Sequence, residues 1–421
     1  MFRSFLMNIL KNILLFMITS LLFYSSPIYA DEDEVELYSE SAILMDANSG
    51  VILYEKQKDK EMYPASITKI ISGLLAIKEG NLDDIVTVSQ NAREAEGTRV
   101  YLEEGEEVTL KKLVQGLLIN SGNDAGIAIA EHLDGSEEAF AKRMTDFVRN
   151  EVGVTNTTFK NPHGLPDPDH VTTAYDMALI TAYAMENQTF REIVGTRELK
   201  WVGESWDTTL RNHHQLVLQR DDVTGVKNGY TDDAGFTLST TAEDDGIELV
   251  IVTLNAEHPR HAYMDTERLI EYGYQYQTET ISSGEEFTDE EGEQYVLDEA
   301  LTFTVKKGQD WTTEIATDGL LSIRNEADES IFEYQFPTEE ITTDDKPVYG
   351  STAGGKANPN PKDSDGPGLL RIIMYTLLFS SILIIASLFF IRFKKKRTIK
   401  QEQTPIVIET YKDHRPWRKN W

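Results

Sequence analysis

Pro64-Ala65-Ser66-Ile67-Thr68-Lys69 opens a dense apolar run in which Ile67, Ile70, Ile71, Leu74, Leu75 and Ala76 follow one another too closely for a surface helix. The pattern predicts a buried helix from about Ser66 to Lys78. Pro64 precedes its first turn, and Ser66 and Lys69 at i and i+3 share a face about one turn apart. A hydroxyl held beside an amine at a helix N-terminus suits a serine nucleophile with a lysine base. A Ser-x-x-Lys match alone arises by chance in any chain of this length, so its weight depends on what surrounds it. Further along stand Ser121 and Asn123, in the turn Asn120-Ser121-Gly122-Asn123, and then Lys227-Asn228-Gly229.

The neighbouring patterns give these residues an architecture. Ala42 to Asp46 and Val51 to Glu55 flank Asn48-Ser49-Gly50 and read as a β-hairpin. Leu110 to Leu118, Asp124 to His132, Ser136 to Val152 and Tyr175 to Glu186 read as helices. From Thr224 the period changes to strands, Thr224 to Tyr230, Phe236 to Thr241 and Glu248 to Leu254, closed by a helix from about Ala262 to Tyr276. Hairpin, many helices, three strands and a helix imply one antiparallel sheet assembled from both ends of the segment around a helical insertion, an α/β (α+β) class. Residues 278 to 346 carry short alternating runs, among them Leu301 to Val305, Leu320 to Ile323 and Ile331 to Phe336, and predict a small all-β domain.

The order and spacing of Ser66-x-x-Lys69, Ser121-x-Asn123 and Lys227-Asn228-Gly229 match the active-serine penicillin-recognising signature. With Leu118-Ile119-Asn120-Ser121-Gly122-Asn123-Asp124-Ala125, Asn161-Pro162-His163-Gly164-Leu165-Pro166, Tyr175-Asp176-Met177-Ala178 and Gly225-Val226-Lys227-Asn228-Gly229-Tyr230-Thr231, residues 40 to 275 resemble the low-molecular-mass penicillin-binding D-alanyl-D-alanine carboxypeptidases. The resemblance implies a β-lactamase/transpeptidase-like antiparallel sheet flanked by helices and followed by a β-rich domain. It makes Ser66 the nucleophile on the carbonyl between two terminal D-alanines of the peptidoglycan stem peptide, Lys69 its base and Ser121 the proton relay. Asn123 would hold the substrate amide, and backbone N–H groups of Ser66 and Tyr230 would form the oxyanion hole. Lys227, Asn228 and Gly229 would line the strand side of the substrate site, with β-lactam antibiotics as covalent inhibitors and no cofactor or metal. Asn228 departs from the family's usual Lys-Thr-Gly and opens the balance between trimming free ends and cutting cross-links, that is, a DD-endopeptidase activity. A β-lactamase is the second enzymatic reading, disfavoured by Ser121-Gly122-Asn123 in place of Ser-Asp-Asn. A non-enzymatic, membrane-tethered wall-binding protein with a decayed site is the third. His163 and the pair His213-His214 read as structural, since this mechanism has no place for an imidazole, and His258 and His261 lack a third ligand for zinc.

The chain is 421 residues long, with 71 acidic and 40 basic residues and no cysteine. That composition excludes a disulfide framework, a thiolate nucleophile and a cysteine metal site. The net charge of −31 argues against a nucleic-acid partner. Arg3 and Lys11, the apolar stretch Ile13 to Phe23 and Ala30 before an acidic run read as a signal peptide over residues 1–30. Residues 31–277 are the expected catalytic domain, 278–346 the β domain and 347–368 a Gly/Pro-rich linker whose Asp363-Ser364-Asp365-Gly366 is not a calcium loop. Ile372 to Ile391 is long enough for a membrane crossing within 369–393, and the basic tail 394–421 puts the C-terminus in the cytoplasm by the positive-inside rule. The expectation is a single-pass cell-membrane protein with its catalytic domain on the cell-wall side.

Overall fold

In strand β1 (Ser41–Asp46), Ile43 and Met45 enter one apolar cluster while Ala42 and Leu44 enter another, and all six residues are buried. A strand hidden on both faces needs a covering layer on each side of its sheet. The computed structural model describes residues 35–337 and supplies both layers. β1 pairs antiparallel with β2 (Ile52–Lys56), as the hairpin pattern predicts. The chain then leaves the sheet through a 3-10 turn (Ala65–Thr68) and α1 (Lys69–Glu79). Next come β3 (Ile85–Thr87), α2 (Gln90–Arg93), β4 (Glu107–Thr109), α3 (Leu110–Ile119), α4 (Asn123–Asp134) and α5 (Glu137–Phe147), which widens into a π-helical turn over Val148–Val152. The insertion ends with α6 (Ala174–Met185), α7 (Gln188–Val194), the ribbon β5 (Glu198–Val202) and β6 (Asp207–Arg211), and α8 (Gln215–Gln219).

The chain returns as β7 (Val223–Thr231), β8 (Gly235–Asp244), β9 (Ile247–Ala256) and α9 (Pro259–Gly273). The completed sheet runs β2-β1-β9-β8-β7, antiparallel throughout, so β1 and β9 pair across about two hundred residues of sequence and β7 is an edge strand. Leu269 and Ile270 of α9 share a cluster with Leu44, Leu249 and Ile251 on one face. Ile43, Val250 and Val252 on the other face join the large core made by α1, α3, α4 and α6.

Helix ends follow the side-chain chemistry of their caps. Thr109, Ser136, Thr173 and Asn187 each accept a first-turn N–H of α3, α5, α6 and α7. Gly135, at φ +77°, ends α4 in the left-handed conformation that a side chain disfavours.

After α9 the chain forms β10 (Tyr276–Ile281), β11 (Glu286–Thr288), β12 (Gln294–Val296), β13 (Leu301–Lys306), β14 (Trp311–Ile315), β15 (Leu320–Asn325) and β16 (Ser330–Gln335). They pair as β10–β13, β11–β12 and β14–β15–β16 around a small core of Phe303, Leu321, Ile323 and Phe332. Asp46, fully buried at the end of β1, accepts from Asn48 N–H and from the hydroxyls of Ser49, Thr278 and Thr304. One carboxylate thus joins the first hairpin to β10 and β13.

Two expectations change in detail. The helix after β9 stops at Gly273, because the chain turns through Tyr274 and Gln275 into the ladder of β10 with β13; a Cβ on Gly273 would also lie 2.5 Å from Leu249. The two small hairpins, α2, α7 and α8 carry no long apolar period and were not predicted; the ribbon β5–β6, for example, buries only Trp201 and Leu210. The expected signal peptide, the linker, the transmembrane helix at 369–393 and the basic tail lie outside the described residues. Among the described residues no helix is long and apolar enough to cross a membrane.

Candidate active site

Ser66 lies in the 3-10 turn, not in the α-helix that the sequence pattern predicts, and Lys69 begins α1. Ala65 is at φ +49°, a left-handed conformation costly for a residue with a Cβ, and this breaks regular helix just before Ser66. The i,i+3 spacing still brings the two side chains together, since a 3-10 turn stacks every third residue. Lys69 Nζ is 2.9 Å from Ser66 Oγ and donates to the main-chain oxygen of His163 at 2.6 Å. Lys69 has no solvent exposure, whereas Ser66 is half-buried at the edge of the core. Burial first, and then the positive charge of Lys227, hold the Lys69 ammonium well below its ordinary pKa, against an opposing pull from Asp124.

The second element sits between α3 and α4. Ser121 is at φ +62°, a second strained non-glycine residue, and is buried. Asn123 donates through Nδ2 to Glu96 O at 2.6 Å, while its buried Oδ1 has no hydrogen-bond partner. A buried acceptor left open costs free energy unless a ligand N–H fills it. Asp124, beside it, accepts from the N–H groups of Val100, Leu102 and Ala125 and so fastens the 96–102 segment to the start of α4. Burial raises the Asp124 pKa, partly countered by those N–H groups.

The third element lies on β7. Lys227 is buried, and desolvation lowers its pKa to about 7. Its Nζ donates to Asn228 O at 2.8 Å and lies 3.3 Å from Asn228 Oδ1, so the Asn228 amide oxygen is turned toward the lysine. Gly229 is required by space: a Cβ there would lie 2.6 Å from Ser66 N and 2.5 Å from Thr237 Oγ1. β7 therefore runs directly against the backbone of the serine. Tyr230 exposes its side chain, stacks on Phe236 and donates its hydroxyl to Asp232.

Several supporting residues had no assigned part in the sequence reading. Thr237 on β8, paired with Gly229, donates its hydroxyl to Pro64 O and locks the start of the 3-10 turn to the sheet. Gly164, at φ +86°, lets the 161–165 loop press on Ala65, since a Cβ would lie 1.9 Å from Ala65 O. Thr68 is 2.9 Å from His170 Nε2, and burial keeps that imidazole neutral, with a pKa of about 3. Gly164 sits in a segment quoted for the resemblance and Asp124 beside Asn123, but their bonds to distant residues leave no local signal. His214 packs inside, 2.8 Å from Thr240 Oγ1. Among the described residues no acidic and histidine cluster forms a metal site.

The Ser66–Lys69 pair and the β7 backbone at Gly229 meet at one serine, and the comparisons point to one family. Residues 28–258 match the peptidase S11 family, described as D-alanyl-D-alanine carboxypeptidase. The chain is 32% identical to D-alanyl-D-alanine carboxypeptidase DacF of Bacillus subtilis, over 69% of this chain and 79% of that one. It is 33% identical to DacC of Escherichia coli over 61% of this chain and 67% of the relative. The crystal structure of D-alanyl-D-alanine carboxypeptidase DacD from Francisella tularensis aligns with a TM-score of 0.62 at 25% identity, covering 71% of this chain and 92% of that one. From its motifs, its sheet and these relatives together, the chain belongs to the D-alanyl-D-alanine carboxypeptidase family of serine peptidases, S11.

Proposed function

We propose that this protein removes the terminal D-alanine from peptidoglycan stem peptides through an acyl-enzyme on Ser66. The observation that carries the reading is the buried Lys69 amine 2.9 Å from Ser66 Oγ, with its ammonium form disfavoured by burial and by Lys227. A neutral amine takes the Oγ proton as Oγ bonds to the scissile carbonyl carbon. The proton taken up by Lys69 passes through the Ser121 hydroxyl to the leaving D-alanine nitrogen as the C–N bond breaks, which returns Lys69 to its neutral form. Backbone N–H groups of Ser66 and Tyr230 face the developing oxyanion, a role supported by the close approach of β7 to Ser66 N. The open Oδ1 of Asn123 suits a substrate amide N–H. Lys227, with Asn228 and Gly229 beside it, supplies the cationic side of the cleft that a terminal carboxylate needs. Water then hydrolyses the ester and regenerates Ser66. A β-lactam mimics the peptide and acylates the same oxygen.

Labelled penicillin followed by peptide mapping tests the assignment. The adduct is expected on Ser66, together with release of D-alanine from a pentapeptide. An adduct on another serine, or D-alanine release without labelling, overturns it.

The site operates on the cell-wall side of the membrane, held by a crossing within 369–393 with the basic tail inside. Support comes from the apolar run Ile372 to Ile391 and the basic cluster Arg392 to Lys400 that follows it. Protease added to sealed cells is expected to remove the 31–368 segment and spare a C-terminal epitope, and loss of that epitope rejects the topology.

A further inference from the structure

His163 contributes to the site by its main chain, and its ring is held by groups far from Ser66. The carbonyl accepts from Lys69 Nζ at 2.6 Å. The ring's Nδ1 accepts from Leu165 N–H at 3.2 Å, which leaves Nε2 to donate to Glu137 Oε2 at 3.1 Å. Glu137, in the first turn of α5, is steadied through its other oxygen by Asn91 Nδ2 at 3.2 Å. Asn161 Oδ1 accepts from His163 N and Gly164 N, and Ser72, one turn after Lys69, donates to Pro162 O at 2.6 Å. The 161–165 loop is therefore clamped on one side to α1 and on the other to α5. His163 is buried and its imidazolium form is disfavoured by that burial, while Glu137 is held as a carboxylate chiefly by the imidazole N–H.

The chemistry needs this oxygen at a particular place. A neutral lysine has two N–H groups and one lone pair; giving one N–H to the His163 carbonyl restricts rotation about Cε–Nζ and helps to direct the lone pair to Ser66. When the amine takes the serine proton it becomes a buried ammonium, and the same carbonyl dipole stabilises the new charge. We propose that Glu137 and His163 are positioning residues for acylation: the Glu137–imidazole hydrogen bond fixes the loop whose carbonyl aims and stabilises Lys69. This rests on Ser66 and Lys69 being the acylating pair.

The test measures acylation by labelled penicillin across pH in the full-length protein for three variants. Glu137→Gln keeps an oxygen that accepts from Nε2. Glu137→Ala removes it. Glu137→Asp keeps the charge at the helix start, so the fold is preserved, but falls one methylene short. Ala and Asp are expected to lower the maximal acylation rate by roughly tenfold with little change in penicillin affinity, about one hydrogen bond's effect. They should also move the acidic limb of the profile to lower pH, because Lys69, facing Lys227 of β7 and Asp124 of α4, loses a neighbour that favours its charged form. Gln should stay within about threefold of the parent. A structural role alone lowers the melting temperature and leaves both the rate per folded molecule and the limb in place. That result, or equal losses in Gln and Asp, overturns the proposal. Ser66→Ala run in the same assay reports separately on the acylating pair, since persistent labelling there sinks that reading whatever Glu137 does.

Discussion

Both parts of the described chain are built on antiparallel strands, but they differ in what they bury. The five-stranded sheet with its helices encloses Lys69, Lys227 and Asp124 and holds Ala65 and Ser121 at positive φ. The strands after Gln275 enclose a core of a few aromatic and aliphatic side chains, with charged residues mostly at the surface, and their one non-glycine residue at positive φ, Asp328, lies in the exposed β15–β16 turn. Desolvated charge and strained backbone each cost on the order of 1–3 kcal/mol or more, and only a large, doubly covered core offsets several of them at once. Chemistry is thus concentrated where burial is deepest, and the three small sheets after Gln275 are free of that load. Among the described residues the buried Asp46 links the two parts, its carboxylate satisfied by hydroxyls and a backbone N–H.

The sharpest way to break this contrast is at the buried pair. Ser66→Ala should abolish penicillin labelling and D-alanine release, and Lys69→Ala should lower acylation by at least about a thousandfold, both with the fold kept by circular dichroism. Retained activity in either variant would place the chemistry elsewhere. Gly229→Ala comes next, since its methyl meets the Ser66 backbone and Thr237 and neither retreats cheaply. A loss of about a hundredfold, ~2.7 kcal/mol in the barrier, is expected in acylation rate. An alanine variant with parental kinetics would show that β7 and the 3-10 turn are not in register as described.

Titration sharpens the comparison further. Acylation needs Lys69 neutral, so the rate rises with pH through its depressed pKa. In the proposed mechanism Lys227 is the carboxylate's cationic partner, and burial brings its pKa down to about 7. kcat/KM for a free-ended peptide should therefore fall above about pH 7, and a C-terminally amidated peptide should lack that limb. A limb shared by both substrates assigns it to another group. In stability the sign is equally definite: the folded pKa of Lys227 lies below its unfolded value of 10.5, so the unfolded chain binds more protons between the two and this group's penalty grows as pH falls from 10.5 toward 7. Lys227→Met should accordingly raise the melting temperature at pH 7 by a few degrees, about 1 kcal/mol or more, while activity is lost. The smallest effect on catalysis belongs to the small β domain. Phe303→Ala, at a fully buried position, should cost that domain about 3–5 kcal/mol yet leave penicillin acylation within about twofold. A larger kinetic loss would mean the two cores are coupled through Asp46.

The parts legible in the sequence were those with a local signature. The apolar density after Ser66, the turn at Asn48-Ser49-Gly50 and the change of period at Thr224 each lie within a dozen residues, and the sheet follows from their order. The three motif pieces were readable because residue type and spacing carry the chemistry. What stayed hidden were interactions across sequence: the His163 carbonyl on Lys69, Thr237 on Pro64, and Asp46 on Thr278 and Thr304. No period records such pairings. Ser66 in a 3-10 turn was hidden for a related reason: Ala65, just before it at positive φ, is approached closely by Gly164 and Gly229 of distant segments, and no local pattern records those contacts.

The pairing of β1 with β9 also sets a timetable. A chain made N-terminus first presents residues 41–46 about two hundred residues before their central partner exists. The helices of the insertion, α1 to α6, all precede β7, β8 and β9 in the chain, and the sheet closes only when those three strands have emerged. Lys227 arrives in that last step. Assembly of the active site is therefore coupled to completion of the sheet: a chain stalled before β7 lacks Lys227 and leaves β1 paired with β2 alone, its other edge open to association until β9 arrives.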